Sequence, residues 1–374
     1  MRILYGVCGE GAGHATRSKV VIEYLASRGH EVLVAASRQA LELFDKAWRF
    51  KRDADVSPFA VLPIVGVGLR CVDGAIDLRA SIEENARRLP AMLEQNADAW
   101  TAAQEFAPTA VISDYDFFAC AFAHAHRLPV VSIDNAQIMS RCLHPPDIIH
   151  KNPLGFSALA IFTDWKHHAC DAYVITSFYH PPVRPEHAAT TTLVPPILRR
   201  EVLAVLASPP PTGNHLLVYK TEIMNDTMVS ASLAALPEQP FVVYGMSEAA
   251  ALPRNAVRRS FSEAGFLRDL ASARGVVSNG GMSLLGEALS LQKPVLAIPV
   301  GGHHEQILNA CYLDRLGYGT WRDRLDAAAL GAFVRDLPRH QRAIAASYPP
   351  HDRNVGLYAT LERLFPSGAP GAYA

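Results

Sequence analysis

The chain has 374 residues, 49% hydrophobic and 19% charged, with 35 Lys and Arg against 36 Asp and Glu. That balance leaves no net field to gather nucleic acid or an anionic membrane surface, and no stretch approaches the roughly 20 apolar residues that span a bilayer. The length exceeds what one core usually serves, so two domains of roughly 150–200 residues each are expected.

The first element is a short apolar strand, Ile3 to Val7, followed by the glycine turn Gly9-Glu10-Gly11-Ala12-Gly13-His14. A helix is expected over about Thr16 to Ser27, ended by Gly29, and then a strand over Glu31 to Ala36. This is a βαβ unit, whose helix buries Val20, Val21, Tyr24 and Leu25. The alternation continues with one long amphipathic helix around Ile82 to Phe106, a strand over Ala110 to Ser113, a helix over Phe118 to His126 and a strand over Val130 to Ile133. Parallel, doubly wound architecture is the economical reading.

Prolines gather at Pro195-Pro196 and at Pro209-Pro210-Pro211, just before the strand His215 to Tyr219 opens a second alternating series. Strands over Phe241 to Tyr244, Gly275 to Ser278 and Pro294 to Ile298 continue it. The expected division is 1–205 for the first domain, 206–350 for the second, and 351–374 for a helix over about Val355 to Phe365 that crosses back, with a frayed tail. Six scattered cysteines without a Cys-x-x-Cys pair, and no basic-then-apolar start, fit a cytoplasmic protein. The aromatic run Tyr115-Asp116-Phe117-Phe118 is compatible with peripheral contact at the inner face of a membrane, against the plainer reading that such side chains pack in a core or line a pocket.

Glycines at a strand-to-helix turn admit close backbone approach, and the helix start beyond them favours negative charge. The first turn is Gly-x-Gly-x-Gly, and the second strand ends at Ser37-Arg38 without the acid that holds a dinucleotide ribose. Arg38 keeps an NADP site open as a rival. His14 directly after the last glycine suits a general base, and Asp114, at the end of the Ala110 to Ser113 strand, is placed to fix its tautomer. The alternative is that His14 caps one helix and Asp114 begins another. The second turn, Ser278-Asn279-Gly280-Gly281-Met282-Ser283, has the form of an anion-binding helix start, with Glu287 on the Ser283 face, where a carboxylate accepts from a ribose diol. Beyond Pro299, Gly301-Gly302 leads into His303, His304, Glu305 and Gln306, groups suited to sugar hydroxyls. Zinc on the adjacent histidines is the competing idea, but sequence neighbours rarely point into one tetrahedral site.

These motifs, in this order, resemble the GT-B glycosyltransferases, in the branch of the peptidoglycan enzyme MurG and the UDP-glycosyltransferases. The resemblance implies two Rossmann-like domains facing a cleft, and inverting, metal-independent transfer from a nucleotide sugar, UDP-linked foremost, to a hydroxyl of a small-molecule, lipid or glycan acceptor. It implies that His14 is the base and Asp114 its charge partner, that Gly13, Asn279, Gly280, Gly281, Met282 and Ser283 meet the diphosphate, and that Glu287 holds the ribose. Glu305 and Gln306, with His303 beside them, read the sugar; Phe261, Ser262 and Phe266 fall in the uracil segment; Lys220-Thr221 occupy another phosphate loop. The chain departs from the family in having no tryptophan at the head of the uracil segment and Asn279 where relatives carry histidine or arginine. Acceptor candidates in the first domain are Tyr115, Phe117, Phe118, Gln137, Arg141 and His144. No cofactor is implied, and a monomer or homodimer is expected. A UDP-sugar epimerase of the same fold and a noncatalytic nucleotide-sugar-binding protein are the other classes compatible with the residues.

Overall fold

Runs of valine, isoleucine and leucine with little alternation form strands buried on both faces, the mark of a parallel sheet covered by helices. The computed structural model describes residues 1–49, 59–72, 75–149, 153–166, 169–220 and 224–366. In chain order its strands are β1 (Arg2–Val7), β2 (Glu31–Ala36), β3 (Phe59–Pro63), β4 (Cys71–Val72), β5 (Ala75–Ile76), β6 (Ala110–Asp114), β7 (Val130–Asp134), β8 (Ala172–Thr176) and β9 (Thr191–Val194). Then come β10 (Leu216–Tyr219), β11 (Phe241–Tyr244), β12 (Ala256–Arg259), β13 (Gly275–Ser278), β14 (Val295–Ala297) and β15 (Gly319–Trp321).

Among the described residues two large sheets result, ordered β3-β2-β1-β6-β7-β8-β9 and β12-β11-β10-β13-β14-β15, and β4 and β5 form a separate antiparallel pair; every pairing within the two large sheets is parallel. The two doubly wound domains expected from the alternation are therefore present. In each sheet the winding reverses beside the first strand, at β1/β6 and at β10/β13. Ligands of open α/β sheets bind in the crevice beyond the strand ends at such reversals, and the two glycine turns follow β1 and β13, with Asp114 at the end of β6.

Two local differences from the sequence reading matter. The helix after the first glycine turn begins at Ala12, not near Thr16, with Gly11 at φ 86° as its N-cap, so His14 lies within the first helical turn. The long helix around residues 82–106 is two helices, Leu78–Gln95 and Ala97–Phe106. Asn96 breaks it: the buried side chain accepts from Val65 N (2.8 Å) and donates to Val65 O (3.0 Å), a local alternative to helix that Asn offers readily.

The last helix, Val355–Leu364, packs on the first domain. Leu357, Leu361 and Phe365 share a core with Ile3, Tyr5, Val21 and Ile112, and Tyr358 stacks on Tyr24 at 4.0 Å. Asn354 ties this returning segment to the interdomain linker. It is 2% exposed, sits at φ 65°, accepts from Leu198 N (3.0 Å) and donates to Leu198 O (2.8 Å). Asn354→Ala strands both backbone groups in a buried place, and a loss of about 1–3 kcal/mol is expected. A urea midpoint equal to that of the parent would contradict this role.

Candidate active site

Strand β1 delivers the chain to Gly9–Gly13, and strand β6 ends on Asp114 beside it, paired in register with Val7. Asp114 is fully buried and crowded by donors. Arg17 approaches it with both fork nitrogens, Nε to Oδ2 at 2.8 Å and Nη2 to Oδ1, and the Ser18 hydroxyl donates to Oδ2 at 2.7 Å. Burial alone would raise the Asp114 carboxyl, but Arg17 and His14 outweigh it and hold the pKa at about 2. Arg17 stands three residues after His14, one helical step away on the same face.

His14 Nδ1 lies 2.8 Å from Asp114 Oδ1 and 2.6 Å from Arg17 Nη2. These contacts demand different tautomers. A proton on Nδ1 is accepted by Asp114 and leaves Nε2 as a lone pair, whereas donation from Arg17 to Nδ1 would put the proton on Nε2. The ionised carboxylate favours the first arrangement. Burial, then the Arg17 charge, lowers the His14 pKa against the opposing pull of Asp114, so the imidazole is neutral near pH 7. Tyr115 stacks on this ring at 6.0 Å and 19°. It adopts φ 53°, a left-handed conformation costing about 1–3 kcal/mol in a bulky residue. Its hydroxyl meets Thr163 Oγ1 at 3.2 Å, and Lys166 Nζ stands 3.8 Å over its face.

Across the cleft, strand β13 ends at Ser278 and the helix Met282–Ser290 starts after Gly280, at φ 81°. The Asn279 amide nitrogen donates to Ile298 O at 2.9 Å, pinning the turn to the strand end. Among the described residues no N-cap side chain closes this helix, nor the helices Ala12–Ser27 and His304–Arg315 that also begin at the cleft. The helices at Asp226 and Glu263 in the second domain are closed by Asn225 and Ser262. Orphan N–H groups with the positive end of a helix behind them form an anion site. The two domains meet here, with Ser283 Oγ donating to Gly13 O at 3.2 Å.

The loop after β14 is clamped by the first domain: Ile76 N donates to Gly301 O at 2.7 Å, and Ala75 and Gly301 form a parallel bridge. Gly302 is at φ 71°, and a Cβ there would lie 2.5 Å from Ile76 O, so glycine is required. This fixes the start of the next helix. Gln306 Oε1 accepts from Val300 N at 3.0 Å, which leaves its amide N–H groups for a ligand. Burial raises the Glu305 carboxyl to about 7 against the Arg17 charge, and lowers His303 to about 4, aided by His14 and His304.

A cleft joins these parts. Gly13, His14, Tyr115, Phe261, Phe266, Asn279, Gly281, Met282, Ser283, Glu287, His303, Glu305 and Gln306 line it; Asp114 backs His14, and Gly280 shapes the turn. Other candidates are not brought there. Lys220 is buried with its ammonium 2.8 Å from Asp226, which neutralises it away from the cleft. Ser262 accepts from Gly265 N as a helix cap. Arg141 is committed to Thr190, Thr191 and the face of Tyr173. His144 uses one ring nitrogen on Ile138 O and the other on Tyr312 of the second domain. Gln137 is sealed at 1% exposure, and Phe117 and Phe118 line a separate apolar groove with Met92, Leu93 and Trp100. Thr221 lies outside the described residues. The neighbours His303 and His304 face different cavities, the latter lining one with Trp321.

Sequence reasoning missed Arg17, Tyr219, Glu263 and Arg199, all of which line the cleft. The i, i+3 step from His14 was a usable signal for Arg17. Tyr219 and Phe266 pack edge to face at 5.4 Å, and Phe261, 61% exposed, leans on Phe266 at 5.7 Å, forming an aromatic wall. Arg199 carried no signal, because its partner Glu287 is 88 residues away.

The family model described as glycosyl transferase family 1 matches residues 1–338. An uncharacterized glycosyltransferase of Methanosarcina acetivorans is 26% identical over 341 residues, 85% of each chain. Among solved structures, the glycotransferase of kitacinnamycin is 17% identical with a TM-score of 0.66, covering 97% of this chain and 98% of that one. The calicheamicin glycosyltransferase CalG4 is 18% identical with a TM-score of 0.62, over 98% and 100%. UGT2 of Phytolacca americana, complexed with UDP-2fluoro-glucose and pterostilbene, is 14% identical with a TM-score of 0.64, over 97% and 95%. At these identities the solved structures establish a shared two-domain fold, GT-B.

Proposed function

The chain belongs to glycosyl transferase family 1, and we propose that it is an inverting enzyme moving a sugar from a nucleoside diphosphate, uridine foremost, to a hydroxyl of an acceptor held by the first domain. The observation that carries this reading is the His14–Asp114 pair, with Nδ1 engaged at 2.8 Å, set across the cleft from an uncapped helix start. His14 Nε2 has no hydrogen bond among the described residues, and it takes the acceptor proton as the acceptor oxygen attacks the anomeric carbon. The bond from that carbon to the leaving oxygen breaks, and its electron pair goes to the diphosphate. The N–H groups at Gly281–Leu284 and at the start of the Ala12–Ser27 helix stabilise that charge without reorganising. In-line displacement inverts the anomer. Gln306 and Glu305 orient the sugar, Glu287 the ribose, and the wall of Tyr219, Phe261 and Phe266 the base.

Incubation with UDP-, dTDP- and GDP-sugars and a panel of hydroxyl acceptors, read by mass spectrometry and NMR, tests the reading. A new glycoside of inverted anomeric configuration is expected. A product that retains the donor configuration, or a free sugar altered at a ring carbon, would overturn it.

The pH dependence follows from the neutral base. Because the His14 pKa is lowered from its ordinary 6.5, the acid limb of kcat/KM attributable to this residue is expected below pH 6.5. Arg17→Gln removes a charge that opposes imidazolium, so this limb moves to higher pH. Glu305 titrates nearby, at about 7, facing Arg17, Asp114 and Asp134. Glu305→Gln is the control that removes its contribution while leaving the limb of His14 in place. A limb that stays fixed in Arg17→Gln, measured in the Glu305→Gln background, would refute the assignment.

A further inference from the structure

Arg199 belongs to the linker between β9 and the helix Arg200–Ala207, yet its guanidinium reaches the donor helix of the second domain. Nε donates to Glu287 Oε1 at 2.8 Å and Nη2 to Oε2 at 3.1 Å, a fork on a carboxylate. Both side chains are nearly sealed, 12% and 7% exposed, and both line the cleft. The linker itself is held on two sides. Toward the donor helix, a Cβ on Gly286 would lie 2.4 Å from Pro196 Cβ, so the linker lies flush against that helix. From behind, His351 Nε2 meets Pro196 O at 2.7 Å, and Asn354 makes both of its bonds to the Leu198 backbone.

An ionised carboxylate has about four acceptor sites. The fork takes two and leaves two, enough for a vicinal diol. A buried carboxylate without its cation would be costly, and would turn freely between its neighbours. We propose that Arg199 is a donor-positioning residue: it makes no contact of its own with the nucleotide, but holds the Glu287 carboxylate turned so that its remaining lone pairs accept the ribose 2′- and 3′-hydroxyls. The grip on the ribose is thereby tied to the linker that sets the two domains. This rests on the reading that the donor is a nucleoside diphosphate sugar with its ribose at Glu287.

The test is calorimetric binding of UDP and 2′-deoxy-UDP to the full chain and to Arg199→Ala, Arg199→Lys, Glu287→Gln and Arg199→Met/Glu287→Leu. The parent is expected to prefer UDP by about tenfold or more, the worth of one hydrogen bond to a charged group. Arg199→Ala should bind UDP more weakly and show almost no preference, Arg199→Lys should recover part of it, and Glu287→Gln should resemble Arg199→Ala. The paired variant, with no buried charge left alone, keeps the comparison available if Arg199→Ala does not fold, and is expected to show no preference. Full preference in Arg199→Ala, or equal loss of affinity for both nucleotides with the preference intact, would overturn the proposal; the second result would mean that Arg199 meets the diphosphate directly. A parent that binds UDP without preference also overturns it. A parent that binds no nucleoside diphosphate would instead overturn the function proposed above.

Discussion

His14→Ala is expected to lower kcat for transfer by about 10²–10⁴-fold while changing the Kd for UDP less than threefold, the range that loss of a positioned general base produces. The asymmetry is the diagnostic part. His14 lies in the first turn of the Ala12–Ser27 helix with only 17% of its side chain exposed; the side chains assigned to the ribose and the base stand on the opposite wall, and the backbone N–H groups of its own helix survive the substitution. Removing the imidazole leaves the Asp114–Arg17 pair intact, so the buried charges stay compensated and the fold is not expected to suffer. Turnover of the true acceptor near the parental rate would end the base assignment. A parallel loss of UDP affinity would assign His14 to the leaving group instead.

Asp114→Asn is expected to damage both chemistry and stability, for separable reasons. Asparagine still fits the space, but its amide can donate to Nδ1, which moves the proton of His14 to Nε2, the nitrogen that must accept. A loss of about 10²–10⁴-fold in kcat follows. The substitution also takes from the buried Arg17 guanidinium the one carboxylate it is hydrogen-bonded to among the described residues, and breaking such a pair typically costs about 3–5 kcal/mol. The pH dependence distinguishes this from a packing defect. The Asp114 pKa is depressed from 3.8 to about 2 in the folded chain, so its stabilising contribution is complete above about pH 4 and is lost as pH falls through 2. In Asp114→Asn that part of the acid unfolding profile should flatten. An unfolding free energy equal to that of the parent would remove Arg17–Asp114 as a stabilising pair.

Much of this site was legible in the order of residues along the chain, because strand ends in a parallel sheet point one way. Each glycine turn after an apolar strand, after Val7 and again after Ser278, must open on the same edge of its sheet, and helix starts there are anion sites whatever fills the rest. The Asn96 break was not legible: its cause is a bond to Val65, a residue on another segment. The same holds for Lys220, whose position after a strand suggests phosphate contact until Asp226 is seen to neutralise it. His144 and Arg141 have the chemistry of acceptor ligands, yet packing spends one on Tyr312 and the other on Tyr173 and two threonines.

Local pattern thus determined by itself that the chain makes two doubly wound sheets and where their ligand-facing turns fall, since hydrophobic period, glycine and proline act within a few residues. Only the tertiary structure decided which polar groups remain free at those turns. A side chain's charge is a property of its type, but its availability depends on partners tens to hundreds of residues away. Arg17 on Asp114 is made between distant segments of the first domain, and Arg199 on Glu287 and Ser283 on Gly13 exist only once the two domains meet.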